Sequence, residues 1–198
     1  VNQRLKRPAR LTVVPMTGWT RDMTWAETGL PWEPPSPSLR SADAAIAYPG
    51  VCLLEATNVS EGRGTVEPFL FFGAPWLRSA DLQVSVPGFE LEPVTFTPTA
   101  SPAAPRPKYV GQECHGMRVR VTDPAAAEPY RLGVELLAAL MSHDEFEWKN
   151  EGAALTRLVG TQQLFDDLHR RRSADQIIEA DRADHEAWRR AREPVLLY

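Results

Sequence analysis

The stretch Val51-Cys52-Leu53-Leu54-Glu55-Ala56-Thr57-Asn58-Val59-Ser60-Glu61-Gly62-Arg63-Gly64-Thr65 decides how this chain is read. Its first four residues are apolar and suit a buried strand. The remainder packs two carboxylates, an amide, hydroxyls, one guanidinium and two glycines into a single turn-like segment. Strand ends are where scaffolds present polar groups. Gly62 and Gly64 flank Arg63 and permit positive φ and close backbone approach to a ligand. Arg63 offers a bidentate fork to a carboxylate. Asn58 and Ser60 supply the neutral donors and acceptors that sugar hydroxyls need. The same residues also suit a plain β-turn holding a structural Arg–Glu pair.

Outward from this segment the chain divides into α and β elements. Leu11–Val14 reads as a short strand stopped by Pro15. Residues 15–40 lack a period but carry aromatic and aliphatic anchors, which disordered segments lack, so they read as an ordered surface-lining loop. Ser41 or Asp43 caps a short helix over 42–47, and Tyr48-Pro49-Gly50 signals a turn. Phe69–Phe72 and Val94–Phe96 are further strands, and Met117–Val121 alternates as a half-buried one. Residues 98–107, rich in Pro and Ala, suit a stiff exposed linker.

The last third is helical. Pro129 sits in a first turn, and Tyr130, Val134, Leu137 and Met141 form an apolar stripe at helical spacing. A second helix is predicted over 161–172. Ser173 and Gln176 make a capping box for a third helix, which Pro194 ends. The fold class expected is therefore α/β: a mixed sheet with flanking helices and a helical carboxy-terminal third.

Composition excludes several functions. The chain of 198 residues has 22 Lys plus Arg against 26 Asp plus Glu, a net charge of −4, which argues against a nucleic-acid binder. No apolar run has the ~20 residues of a membrane helix. The basic start, Val1–Pro8, has no apolar stretch behind it and is no signal peptide. The missing initiator Met reads as a processed chain or a fragment. Cys52 and Cys114 make no metal motif, and two reduced, packed thiols are expected rather than a disulfide. His115, His143, His169 and His185 have no metal-ligand spacing. There is no phosphate loop and no Gly-x-Ser-x-Gly elbow. No metal and no cofactor are expected.

Trp19, Trp32 and Trp76 lie beside Gly, Pro and charged residues. A ring there stacks on a sugar face or fills the core of an irregular loop. Arg21 beside Asp22 reads as solvated or locally paired. Lys108 and Tyr109 read as surface residues with a ligand role as the alternative. Arg170-Arg171-Arg172 suits the negative end of a helix dipole.

Ordered motifs along the chain carry a resemblance. They are Val14-Pro15-Met16-x-Gly18-Trp19-x-Arg21, Gly29-Leu30-Pro31-Trp32, Pro34-Pro35-Ser36-Pro37, Tyr48-Pro49-Gly50, Glu55-x-Thr57-Asn58-x-Ser60-Glu61-Gly62-Arg63-Gly64-Thr65, Gly73-Ala74-Pro75-Trp76 and Lys108-Tyr109-x-Gly111-x-x-Cys114. Together they resemble the carboxy-terminal half of the DUF1343 family, the exo-β-N-acetylmuramidases of the NamZ type. The chain departs from the family pattern at Ala56, where Gly is usual, and at Ser38, where Asn is usual. Ser101–Pro107 resembles an insertion.

The resemblance implies a glycoside hydrolase that removes terminal N-acetylmuramic acid from peptidoglycan fragments. It implies an amino-terminal Rossmann-like domain, a cleft between the two domains, and catalytic acids in the amino-terminal half. Residues 1–198 are then a single carboxy-terminal domain without that half. Its partners would be a peptidoglycan-derived saccharide and the Rossmann-like domain. Family members are often exported, so an exported or periplasmic location is implied. Glycoside hydrolysis generally needs two carboxyl groups flanking the scissile bond. Glu55 and Glu61 are a formal pair, although Glu61 beside Arg63 is better suited to pairing or to accepting sugar hydroxyls. Asn58, Ser60, Glu61, Arg63 and Glu55 are the expected sugar contacts. Arg63, then Arg21, would read the lactyl carboxylate, and Trp19, Trp32 and Trp76 would shape the cleft. The rival readings are a non-catalytic module that binds peptidoglycan fragments or a partner, and a truncated, inactive product.

Overall fold

A computed structural model describes Asn2 and residues 5–197. The order of elements is α1 (Ala42–Val51), β1 (Phe71–Ala74), β2 (Phe89–Phe96), β3 (Cys114–Val121), α2 (Pro129–Leu140), α3 (Ala153–Val159), α4 (Gln163–His169) and α5 (Ala174–Arg192). Short 3-10 turns join several of them. The α/β class with flanking helices and a helical last third matches the expectation. Within the sheet, order β1-β3-β2, both pairings are antiparallel where a mixed sheet was expected.

Ser41 caps α1, its hydroxyl accepting from the Ala44 amide at 3.1 Å, which satisfies one of the open donors of the first turn. The helix runs further than expected. Tyr48-Pro49-Gly50 lies inside it, and Val51-Cys52-Leu53-Leu54, expected as a strand, continues it as a 3-10 turn over Cys52–Ala56. A short apolar run does not by itself separate a strand from a buried helix. Tertiary packing decides the outcome here. A Cβ built on Gly50 would lie 2.0 Å from the Pro129 carbonyl oxygen, and one on Gly133 would lie 2.8 Å from Leu53 Cδ1. The α1 and α2 backbones touch at these two glycines.

Helix α2 buries Leu132, Val134, Leu136, Leu137 and Leu140. Each fully buried Leu contributes about 2 kcal/mol of transfer free energy. These side chains meet Val51, Leu54 and Ala47 of the α1 region and Phe72, Met117 and Val119 of the sheet in one core. Gly73 faces Gly116 across the β1–β3 ladder. A Cβ on Gly116 would stand 1.9 Å from the Phe72 carbonyl oxygen, so the two strands close together only because neither residue has a side chain.

Ser173 and Gln176 form the capping box as read. Arg172 does more than complement a helix dipole: it lies 3.1 Å from the buried Asp167 carboxylate and donates to the Gln176 carbonyl at 3.2 Å, tying α4 to α5. Beyond Ile177 most of α5 is exposed, and Arg182–Glu179 and Arg190–Glu186 pair along its solvated face.

Two further expectations are corrected. Leu11–Val14 forms no strand and is exposed. Residues 98–107 are not a free linker. The Thr99 amide donates to the Gly64 carbonyl at 2.9 Å, and Ala104 is buried, so this segment packs against the 62–65 turn. Cys52 and Cys114 are free thiols, as expected, and burial pushes each up to about 11.

Candidate functional site

The 3-10 turn over Cys52–Ala56 and the loop that follows place three charged side chains in one row, and Lys108, from the segment before β3, adds a fourth. Arg63 Nη2 donates to Glu55 Oε1 at 2.9 Å. Its Nε lies 3.3 Å from Glu61 Oε1, and Nη1 donates to Ser38 Oγ at 3.3 Å. The guanidinium covers the Phe69 ring at 4.9 Å. On the other side of Glu61, Lys108 Nζ lies 2.9 Å from Oε2, outside a good hydrogen-bonding direction. The same ammonium donates to the Leu54 and Val59 carbonyls at 2.8 and 2.6 Å. The row therefore reads Glu55–Arg63–Glu61–Lys108, with two positive and two negative members.

Backbone geometry holds the row in place. Gly62 and Gly64 have φ of +77° and +84°, as the turn requires. A Cβ on Gly64 would meet Thr99 O at 2.6 Å. Phe69 itself has φ of +65° although it is a buried, bulky residue. Strain of this kind persists only where the surroundings over-determine it. Here the ring lies between the Arg63 guanidinium and the Tyr48 ring, which meets it near perpendicular with centroids 4.8 Å apart.

Exposure separates members of the row. Glu61 is 4% exposed, whereas the Arg63 and Glu55 side chains keep about a third of their surface, at 33% and 30%. Burial lowers the pKa of Arg63, but the Glu55 hydrogen bond and the charges of Glu55 and Glu61 outweigh it, and the net direction is upward. Lys108 is pushed down to about 8, chiefly by burial and further by Lys149, against the opposing pull of Glu61.

The expected site residues part company in this geometry. Ser60 is sealed, 1% exposed, with its hydroxyl accepting from the Gly62 amide at 3.2 Å. Its backbone pairs with Gly73. It has no lone surface to offer a sugar, contrary to expectation. Glu61 is sealed as well. Asn58 acts as a clasp: its Nδ2 donates to Glu145 O at 2.7 Å and its Oδ1 accepts from the Glu147 amide at 3.1 Å. Trp32 is half-buried, donates to Leu39 O at 3.0 Å and meets Trp25 edge-on at 5.3 Å, so it fills the loop core. Trp19 is half-buried and Arg21 exposed in that loop. Trp76 donates to the Tyr109 hydroxyl at 3.3 Å and its ring lies 5.7 Å from His143.

Several residues were missed or misjudged in the sequence reading. Lys108, read as a surface residue, is largely enclosed. A hollow of about 370 Å³ is lined by Asn58, Lys108, Tyr109, Glu147, Trp148 and Lys149. Only Asn58 in that set was an expected contact. No local pattern marks Glu147-Trp148-Lys149, because their position depends on the Asn58 clasp. Among the described residues no cluster of His, Cys, Asp and Glu is suited to a metal ion, and no helix is long and apolar enough to cross a membrane.

Comparison with known proteins bears on this geometry. Residues 46–198 match the family described as exo-beta-N-acetylmuramidase NamZ, C-terminal, and residues 1–43 match its N-terminal counterpart. The chain belongs to the NamZ family. It is 31% identical over 204 residues to the peptidoglycan beta-N-acetylmuramidase NamZ of Bacillus subtilis (strain 168), across 100% of this chain and 48% of that protein. The chain thus spans about half the length of this curated relative. Two DUF1343 family proteins from Bacteroides fragilis NCTC 9343 share its architecture. One has a TM-score of 0.81 at 23% identity, covering 99% of this chain and 53% of its own. The other has a TM-score of 0.65 at 30% identity, covering 83% and 43%. The boundary between the two NamZ regions falls at the start of α1, so Trp19, Arg21 and Trp32 lie in the N-terminal match and the charged row lies in the C-terminal one.

Proposed function

We propose that this chain is the saccharide-binding, carboxy-terminal part of an exo-β-N-acetylmuramidase acting on peptidoglycan fragments. The observation that carries the reading is the Arg63 guanidinium. Its plane is fixed by Glu55, Glu61, Ser38 and the Phe69 ring, yet a third of the side chain faces solvent. A guanidinium fixed in this way is a preorganised fork for a carboxylate, with little side-chain entropy left to lose. The lactyl carboxylate distinguishes N-acetylmuramic acid from N-acetylglucosamine. Arg63 reads it, and Glu55, a third exposed, accepts sugar hydroxyls at the same edge.

The row itself holds no pair of carboxyls suited to hydrolysis. Glu55 and Glu61 both bind the one guanidinium, which fills the space where a sugar ring would have to lie between them. Glu61 is also enclosed beneath Lys108. In this reading the chain binds, and an amino-terminal domain of the NamZ kind supplies the acid chemistry. The same enclosure favours the second reading, a module that binds peptidoglycan fragments without cleaving them.

The test is titration calorimetry with N-acetylmuramic acid and N-acetylglucosamine. The wild-type chain should prefer the former, and Arg63→Gln should abolish the preference, with circular dichroism unchanged. Equal binding of both sugars by the wild type would sink the assignment. Turnover of a muramic acid glycoside after adding an amino-terminal NamZ half separates the enzyme reading from the binding module.

A further inference from the structure

We propose that the hollow beside Lys108 is a second saccharide subsite, shaped for an uncharged pyranose that carries an acetamido group. Its volume is about 370 Å³, and Asn58, Lys108, Tyr109, Glu147, Trp148 and Lys149 line it. Small-molecule sites usually begin at about 300 Å³. All six residues lie within 46–198, the region of the C-terminal match. The hollow opens at the Lys108 end of the charged row, with Glu61 between Lys108 and Arg63.

An aromatic platform is built into one wall. The Trp148 ring meets Phe146 at 5.1 Å and 90°, Phe165 at 5.3 Å and 60°, and His169 at 6.1 Å. Its backbone bridges Thr57, and the Asn58 amide donates to the Glu147 carbonyl at 2.9 Å. The ring is therefore fixed before any ligand arrives. Tyr109 has φ of +57°, and Asn150 and Glu151, just after Lys149, have +50° and +52°. Left-handed backbone at residues with side chains gathers at ligand sites. Among the described residues five non-glycine positions have positive φ, and these three line the hollow or directly follow its lining.

Polar groups around the ring are left open. Among the described residues no side-chain hydrogen bond or ion pair engages Glu147, Trp148 or Lys149. The Tyr109 hydroxyl accepts from Trp76 Nε1 and keeps its own proton to donate. A flat ring for the apolar face of a sugar, with donors and an acceptor at its rim, suits hydroxyls and an acetamido group. Charge then selects among sugars. Glu61 neutralises Lys108, and the carboxylate of Glu147 offsets the ammonium of Lys149. A hollow without net charge favours a neutral ring, whereas the Arg63 edge favours a carboxylate. The choice of a sugar rests on the saccharide reading above, but the readout below does not use Arg63, so the two can fail separately.

The test is an NMR titration of the tryptophan indole N–H signals with methyl N-acetyl-β-glucosaminide, and with methyl β-glucoside and free lysine as comparators. The signal that Trp148→Phe removes should shift with the acetamido glycoside, and the plain glucoside should bind several-fold more weakly. Glu147→Ala and Lys149→Ala should each weaken binding about threefold to tenfold, the range for one lost hydrogen-bond partner. Both side chains are exposed and otherwise unbonded, so thermal unfolding should not move. Arg63→Gln should leave this shift intact while it abolishes the preference for N-acetylmuramic acid. A Trp148 signal that stays still at millimolar glycoside, binding indifferent to both alanine variants, or tighter binding of lysine would overturn the proposal. A shift lost in Arg63→Gln would merge the two sites and overturn it too.

Discussion

Lys108 and Glu61 meet at 2.9 Å beneath the surface, and the ammonium that neutralises Glu61 also gathers the Leu54 and Val59 carbonyls. One side chain from the segment before β3 thus holds Leu54, Val59 and Glu61, three points on the stretch that leads into Arg63. The Lys108 side chain is 16% exposed and that of Glu61 6%.

Lys108→Met should therefore destabilise the chain well beyond a surface substitution. It strands a buried carboxylate and two carbonyls, and removing one partner of a buried pair costs about 3–5 kcal/mol. Urea unfolding measures this directly. A loss below about 1 kcal/mol would mean that water reaches Glu61 readily. Lys108→Arg, which keeps the charge, should lose less.

Alkaline pH should change stability in two directions. The folded chain holds Lys108 at about 8 against an ordinary 10.5, so between these values the unfolded chain binds the extra proton. Stability from this group rises with pH across that window, by up to about 1.4 kcal/mol per unit. Cys52 and Cys114 act oppositely. Each is raised from 9.0 to about 11, so the folded chain holds their protons longer and stability falls with pH between those values. Unfolding free energy should climb from pH 8 to 9 and then decline. Lys108→Met should remove the climb, and Cys52→Ala with Cys114→Ala should soften the decline. A flat profile that the substitutions leave unchanged would contradict both assignments.

Asn58→Ala should loosen a distant loop more than it unfolds the chain. The two side-chain bonds from Asn58 to Glu145 and Glu147 are each worth about 0.5–1.5 kcal/mol. Global stability should fall by about 1–3 kcal/mol. Limited proteolysis should find new cleavage between 143 and 150, where Trp148 and Lys149 line the hollow. Unchanged cleavage would show that the clasp is dispensable.

Gly50→Ala should cost about 3 kcal/mol, the upper end for overpacking a well-filled core. The new Cβ would meet the Pro129 carbonyl at 2.0 Å, so α1 and α2 would have to separate. Thermal melting is sufficient to see it. A loss no larger than that of an exposed Gly160→Ala control, where nothing lies within 4 Å but φ is +79°, would argue against the close crossing.

Much of the helical third is legible in the residues alone, because its signals are local. The Ser173–Gln176 box, Pro129 in a first turn and the apolar stripe of α2 are set by neighbours within one or two turns. The same holds for the positive φ at Gly62 and Gly64, which no residue with a side chain adopts easily. The charged character of the 55–63 segment is equally plain. Its division into an open edge at Glu55 and Arg63 and a sealed interior at Ser60 and Glu61 is not. That division comes from Lys108 and Ser38, which lie far from it along the chain, and from the unusual backbone of Phe69, and none of them carries a mark of where it will stand.

The chain's composition and local order determine by themselves that this is an α/β domain with late helices, acidic overall, built around one polar loop. Tertiary structure alone decides that Val51–Leu54 is helical rather than extended, that Lys108 is buried, and that Asn58 grips residues 145–147. Local preferences for helix and strand differ by about 1 kcal/mol or less per residue. The contact of α1 with α2 at Gly50 and Gly133, and the burial of Glu61 between two cations, each involve several times that energy, and so they overrule it.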